Sequence, residues 1–212
     1  PSNPIFIALS KTINKYKLEI EPFRRLIKAN EMDQHITKYN SWDDIFYYCD
    51  HSANPVGDIV LRILGYTENS NITFSNKICT GLQITNFIQD IKVDHCKNRT
   101  YIPQNLLKKH NLDFSSINKV TKNDINFLSK FDSLLADLIQ ENQKLYDEGR
   151  ILIKNLSKKH AIIINIFLLS GQTILNKIRN QKSNILFKKP RTNKLEKIYI
   201  IIKATVSVLL KR

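Results

Sequence analysis

The sequence predicts an all-helical protein, and three features predict it. Only 5 Gly and 6 Pro punctuate 212 residues, too few turn formers for a β-rich or linker-rich chain. Apolar residues recur three and four positions apart through most of the chain, which is the period of a helix rather than of a strand. Asn-Pro and Glu-Pro pairs stand where helices would begin, with Pro in the first turn, where its missing N–H is no loss. The length fits a single domain, 1–212, and 42% hydrophobic residues supply a core and exclude a disordered chain.

Asn3-Pro4 opens the first helix, with Ile5, Leu9, Ile13 and Tyr16 at helical spacing. Glu21-Pro22 opens a second carrying Phe23, Leu26 and Ile27. Asn40-Ser41 precedes a long apolar-periodic segment, 42–64, which Pro55 should kink by removing a backbone donor and crowding the preceding turn. The polar stretch 67–76 reads as a loop, and 76–94 as the next helix, ended by His95-Cys96-Lys97-Asn98-Arg99. Thr121 and Asp124 have capping-box character before a helix with Ile125, Leu128, Phe131, Leu135, Leu138 and Leu145 on one stripe. Helices over 158–180 and 194–211 follow, separated by the basic loop Lys188-Lys189-Pro190-Arg191.

The net charge is +14, and its distribution is lopsided. Residues 1–149 hold 18 basic and 18 acidic side chains, whereas 150–212 hold 15 basic and one acid, Glu196. Basic residues there are interleaved with Ile and Leu rather than with aromatics, and no nucleic-acid-binding motif is present, so no nucleic-acid partner is expected. Part of the charge fits a codon bias toward Lys, Ile and Asn. The rest fits peripheral contact of the C-terminal helices, apolar over 198–210 and basic at Lys197, Lys203, Lys211 and Arg212, with an anionic membrane surface. The charge is read as lying away from the neutral portion. Three cysteines, Cys49, Cys79 and Cys96, match neither a disulfide framework nor a zinc knuckle and predict free thiols in a reducing cytoplasm. The longest apolar runs, 161–169 and 198–210, are shorter than the roughly 20 residues of a membrane span.

The chemistry concentrates in 81–94. Gln83, Asn86, Asp90 and Asp94 are spaced three, four and four apart, so at about 100° per residue they lie within about 80° of one another. The rest of this helix is largely apolar: Leu82, Ile84, Phe87, Ile88, Ile91 and Val93. Two carboxylates one turn apart repel unless a cation lies between them, and oxygen donors on a rigid helix suit Mg²⁺ with a substrate phosphate. Arg99 and Tyr101 add a forked cation and a hydroxyl for the same phosphate oxygens. Alone, an Asp-x-x-x-Asp pair also ends ordinary amphipathic helices; the ordered set Gln83, Asn86, Arg99, Tyr101 and Pro103 makes the pattern specific. His95 and Cys96 beside Asp94 suggest zinc less well, because adjacent residues do not converge on one ion.

A second constellation, Tyr47-Tyr48-Cys49-Asp50-His51-Ser52-Ala53-Asn54-Pro55-Val56-Gly57, puts small residues and a proline in the middle of an apolar helix. Helix packing against a kink explains it as well as a substrate cavity does, and His51 reads as a structural histidine.

With these segments in place, the chain resembles the squalene/phytoene synthase family, most closely its bacterial hydroxysqualene synthase branch. The carrying stretches are Tyr48-Cys-Asp-His-Ser-Ala-Asn-Pro-Val-Gly57, Ile78-Cys-Thr-Gly-Leu-Gln-Ile-Thr-Asn-Phe-Ile-Gln-Asp-Ile-Lys-Val-Asp94 and Asn98-Arg-Thr-Tyr-Ile-Pro103. Gln89 and Val93 stand where family members usually carry Arg and Glu, a departure that looks like the hydroxysqualene branch.

The resemblance implies an isoprenoid-synthase helical bundle with two facing Asp-rich helices, of which only the second is present; the first would precede Pro1, making the domain incomplete at its N-terminus. It implies Mg²⁺ held by Asp90, Asp94 and Asn86, and substrate contacts from Gln83, Asn86, Arg99, Tyr101, Ser52, Val56 and Gly57. Tyr48, Asp90 and Asp94 take catalytic roles, Tyr48 beside the reacting carbons. The implied reaction converts presqualene diphosphate to hydroxysqualene with release of pyrophosphate, in squalene or hopanoid biosynthesis. A phytoene-type or presqualene-diphosphate-type prenyl transferase, or an inactive copy with a binding role, is the alternative.

Overall fold

The computed structural model describes residues 3–210. Its helices are α1 Pro4–Tyr16, α2 Glu21–His35, α3 Trp42–Ser52, α4 Asn54–Ile63, α5 Asn69–Gln89 and α6 Ile91–Cys96, then α7 Gln104–Lys109, α8 Ile125–Gly149, α9 Leu152–Asn155, α10 Lys158–Gln181 and α11 Lys194–Leu209. Short 3₁₀ turns lie at Ile117–Lys119 and Lys182–Leu186. Among the described residues the one β-type contact is an isolated bridge between Lys38 and Thr100.

The starts follow the local chemistry. The Asn3 side chain accepts from the Ile5 N–H at 2.9 Å, with Pro4 in the first turn. Ser41 and Asp44 form a reciprocal capping box on α3, and Asn193 with Glu196 does the same for α11. Thr121 and Asp124 differ from the expected box. The Asp124 carboxylate accepts from the Thr121 N–H at 2.7 Å and hydroxyl at 2.9 Å, closing a local turn, and α8 begins only at Ile125. The kink expected at Pro55 is a full break: Ala53 leaves helical geometry, with φ −121° and ψ −48°, between α3 and α4.

The expected loop 67–76 is helical from Asn69 onward. Its polar residues mislead because Asn71 and Ser75 are buried, and Asn71 is satisfied by Asn155 at 2.8 Å and Glu68 at 3.0 Å. Lys211 and Arg212, placed in the last helix and its basic end by the sequence, lie outside the described residues.

Helix α5 runs through the middle of the bundle and packs on α3, α4, α8 and α10. Ile84 and Ile88 of α5, Phe131, Leu134 and Leu138 of α8 and Leu168 and Leu175 of α10 are almost fully buried. Tyr146 of α8 lies between two glycines. A Cβ at Gly81 of α5 would stand 3.0 Å from its ring, and one at Gly171 of α10 would strike the same ring. The Thr85 hydroxyl donates to the Gly81 carbonyl at 2.8 Å, so it accepts from Tyr146 at 2.7 Å and from the Asn142 amide at 2.8 Å. Helix α10 is long and apolar enough to cross a bilayer by length and composition. Its buried face, including Ile164, Leu168, Leu175 and Ile178, packs on α5, α8 and α11, which makes it a core helix here.

Candidate active site

Asp90 marks a bend. Helix α5 ends at Gln89, Asp90 takes φ −108° and ψ 13°, and α6 begins at Ile91. The hydrogen-bond ladder nevertheless runs through it, from Asp90 N–H to Asn86 O at 2.9 Å and from Asp94 N–H to Asp90 O at 2.8 Å. The carboxylates therefore stay about one turn apart. Ile84, Thr85, Phe87, Ile88 and Ile91 are buried, whereas Gln83, Asp90 and Asp94 are half-buried and Asn86 is exposed. The polar stripe thus faces outward from a helix whose other sides are in the core.

The Asp94 carboxyl is raised above the ordinary range, first by burial and next by the charge of Asp90, against the opposing pull of Lys97, Arg99 and Lys189. The charged form of Asp94 is thus disfavoured in the free protein, a cost that a cation beside it would relieve. Lys189, from the loop after the 3₁₀ turn Lys182–Leu186, forms an ion pair with Asp90 Oδ1. Two contacts hold that loop: the Gln89 amide donates to the Pro190 carbonyl, and the Lys177 ammonium to the Arg191 carbonyl at 2.9 Å. This corrects the reading that the C-terminal charge lies away from the site, because the fold returns Lys189 onto Asp90 across 99 positions of sequence.

The α6–α7 connection brings in aromatic rings. Tyr101 stacks on Phe87 with centroids 4.2 Å apart and planes within 4°; Tyr48 lies 5.3 Å from Tyr101 and 6.0 Å from Phe87. Tyr39 closes the cluster at 5.4 Å from Tyr48 and 5.6 Å from Tyr101. The hydroxyls of Tyr48 and Tyr101 both donate to Asp33 Oδ1, at 3.0 and 3.2 Å, and Arg99 reaches the Asp33 backbone carbonyl at 3.2 Å. Burial, followed by the contacts with Tyr101 and Asp33, pushes the Tyr48 hydroxyl far above its ordinary range. It stays protonated and is no general base.

Of the sequence-identified residues, the structure gathers Tyr48, Asp94, Arg99 and Tyr101 around Phe87, with Asp90, Asn86 and Gln83 along the same helix. Ser52 ends α3, and Val56 and Gly57 lie in the first turn of α4. Ser52 Oγ is buried without a hydrogen-bond partner, and Val56 is exposed. Gly57 lets α4 close on α5, where a Cβ would stand 2.5 Å from Ser75 Oγ and 2.6 Å from Cys79 Sγ. His51 Nδ1–H donates locally to the Tyr47 carbonyl at 2.8 Å, a structural role. Asp33 was not found from sequence, since its partners lie 15, 66 and 68 positions away and no spacing signals it.

Among the described residues no three His, Cys, Asp or Glu side chains cluster. Asp90 and Asp94 with the Asn86 amide fit a hard cation that takes its remaining oxygens from water and phosphate. The ammonium of Lys189 already sits on one of these carboxylates, which shows that the position accepts positive charge. The space enclosed by Phe87, Ile91, Asp94, Arg99, Tyr101 and Phe114 is only about 10 Å³, so the aromatic cluster is packed rather than hollow.

Fold and site together define an all-helical bundle of the isoprenoid-synthase type. Residues 1–197 match the squalene/phytoene synthase family model, and the chain belongs to that family. It is 34% identical to the squalene synthase HpnC of Alicyclobacillus acidocaldarius, with a TM-score of 0.78 over 85% of this chain and 67% of that one. A dehydrosqualene synthase solved with a ligand shares the fold at 17% identity, with a TM-score of 0.80 over 99% of this chain and 72% of that one. Phytoene synthase 2 of Solanum lycopersicum is 27% identical over 93% of this chain and 64% of its own length. Phytoene synthase 1 of Arabidopsis thaliana is 26% identical over 100% of this chain and 50% of its own length. The chain therefore spans about half to two thirds of the curated relatives it matches.

Proposed function

We propose that this chain carries the diphosphate-binding part of a Mg²⁺-dependent prenyl-diphosphate enzyme resembling hydroxysqualene synthase, taking presqualene diphosphate to hydroxysqualene with release of pyrophosphate. The observation that carries the reading is the half-buried Asp90–Asp94 pair beside a cluster of aromatic rings. Its likeness to a squalene synthase at 34% identity supports the branch. Asp90, Asp94 and Asn86 would hold Mg²⁺, which when bound supplies positive charge where the leaving pyrophosphate develops negative charge.

The chain's own residues do the rest. Arg99 is a forked donor for phosphate oxygens, and in the free protein Asp33 keeps it ordered. The ring of Tyr48 offers a π face to a substrate carbocation, while its hydroxyl, committed to Asp33, is kept from quenching that cation. Lys189 balances the charge of Asp90 until a divalent ion takes that role.

Phytoene synthase relatives favour a second reading, a head-to-head prenyl transferase that joins two allylic diphosphates. Incubation with presqualene diphosphate and with geranylgeranyl diphosphate separates the two by product. A thermal shift with Mg²⁺ and pyrophosphate tests the site itself: wild type should gain stability and Asp90→Asn should not, whereas a full shift in that variant would sink the assignment.

A further inference from the structure

Helix α11 packs on α10 through Ile200, Ala204 and Val208. On the opposite side, over an arc of about 120° at roughly 100° per residue, stand Leu195, Ile198, Tyr199, Ile202, Val206 and Leu209. All are exposed, Leu195 by 78% and Ile202 by 56%. No polar residue interrupts this arc. At its edge the Lys203 ammonium lies over the Tyr199 ring, 5.9 Å from the centroid.

Lys203 also borders a groove of about 680 Å³ between α9, α10 and α11. Arg150, Lys154 and Lys158 complete a cationic rim, over walls that include Leu156, Leu169 and Val208. Among the described residues none of these four cations has a carboxylate partner within ion-pair distance. The single acid of this region, Glu196, is taken by Lys177 at 2.6 Å. Asn165 of α10 donates to Ser207 at 2.9 Å and to the Ala204 carbonyl at 3.4 Å, which fixes α11 beside the groove.

We propose that this face docks on an anionic phospholipid bilayer, with the outer arc of α11 in the interfacial zone and a lipid headgroup phosphate in the groove. An apolar helix face bordered by unpaired cations is the arrangement that lies in a membrane surface, where apolar burial and attraction to anionic headgroups act together. Charge complementarity selects the occupant: a second copy of this chain would bring the same unpaired cations against these. The inference is independent of the reaction proposed above.

The test is flotation of the full chain with phosphatidylcholine vesicles, with and without phosphatidylglycerol. Binding should require phosphatidylglycerol and weaken with salt. Ile202→Glu with Val206→Glu, and separately Lys154→Glu with Lys158→Glu and Lys203→Glu, should each weaken it about tenfold or more. Unchanged helical circular dichroism and an unchanged melting temperature without ligand would show that the variants are folded. Inorganic phosphate at millimolar levels should not displace the protein, since free phosphate lacks the apolar half of the interaction. Equal binding to neutral vesicles, equal binding by folded variants, or a dimer without lipid that the arc variant dissociates would each overturn the proposal.

Discussion

The Tyr48 hydroxyl donates to Asp33 Oδ1 at 3.0 Å, joining a helix that carries a site residue to a carboxylate 15 positions earlier. The same oxygen accepts from Tyr101 at 3.2 Å, so one side chain of α2 orders two rings. Asp33→Ala should leave two buried hydroxyls without an acceptor and cost about 2 kcal/mol, read from urea unfolding with an unchanged slope. Asp33→Asn, which keeps a carbonyl acceptor, should cost less; equal losses would argue against the shared acceptor.

The role proposed for Tyr48 runs through its ring, because its hydroxyl is held protonated by burial and then by its contacts with Tyr101 and Asp33. Tyr48→Phe should keep prenyl-diphosphate turnover within about tenfold of wild type and leave the alkaline limb of the pH profile in place. Tyr48→Ala should lose far more. A Phe variant as inactive as the Ala variant would place the chemistry on the hydroxyl.

Lys189 forms an ion pair with Asp90, so under the proposed assignment it competes there with a divalent ion. Lys189→Met should bind Mg²⁺ alone about five-fold more tightly, the counterpart of about 1 kcal/mol for a partly exposed ion pair. Titration followed by thermal shift would read it, and weaker binding would contradict the competition.

Asp94→Asn should make the metal-free protein more stable than wild type. Burial and the neighbouring charge of Asp90 both disfavour the charged form, so neutralising it relieves repulsion. The same variant should lose the stabilisation by Mg²⁺ with pyrophosphate. Destabilisation of the metal-free protein would mean that the carboxylate holds the fold rather than a cation.

Away from the site, Asp137 of α8 meets Lys109 at 2.7 Å and His110 at 2.8 Å, and these two partners hold its carboxyl below the ordinary range. A lowered carboxyl stabilises the fold above its unfolded value and loses that contribution as pH falls through the folded one. Asp137→Asn should cost about 0.5–1 kcal/mol near pH 7, and progressively less as pH falls below about 4 toward and through the lowered folded value. A pH-independent loss would point to packing instead.

The helices were legible because their apolar residues repeat at three and four, and the break at Ala53 because Pro55 announces it. The stripe from Gln83 to Asp94 was legible for the same reason: it is a local pattern on one helix. Asp33 and Lys189 were not, since each acquires its meaning from residues far away in sequence that only the tertiary fold brings near. The helical segment 69–76 was hidden by Asn71 and Ser75, polar residues whose burial depends on partners elsewhere. Gly57 falls where α4 closes on α5, the packing alternative that small residues beside a kink had left open.

Tyr146, held between Gly81 and Gly171, has a consequence for the rim of the molecule. Helix α5 ends at Asp90, and α10 leads into the turn that delivers Lys189, so the two halves of that ion pair are carried by the helices on either side of one aromatic ring. The ring acts as a gauge block: a Cβ at either glycine would crowd it, so it limits how closely α5 and α10 approach, and the hydrogen bond to Thr85 holds its hydroxyl in place. The tolerance of the cation position is thereby machined in the centre of the bundle, by a residue that touches neither Asp90 nor Lys189.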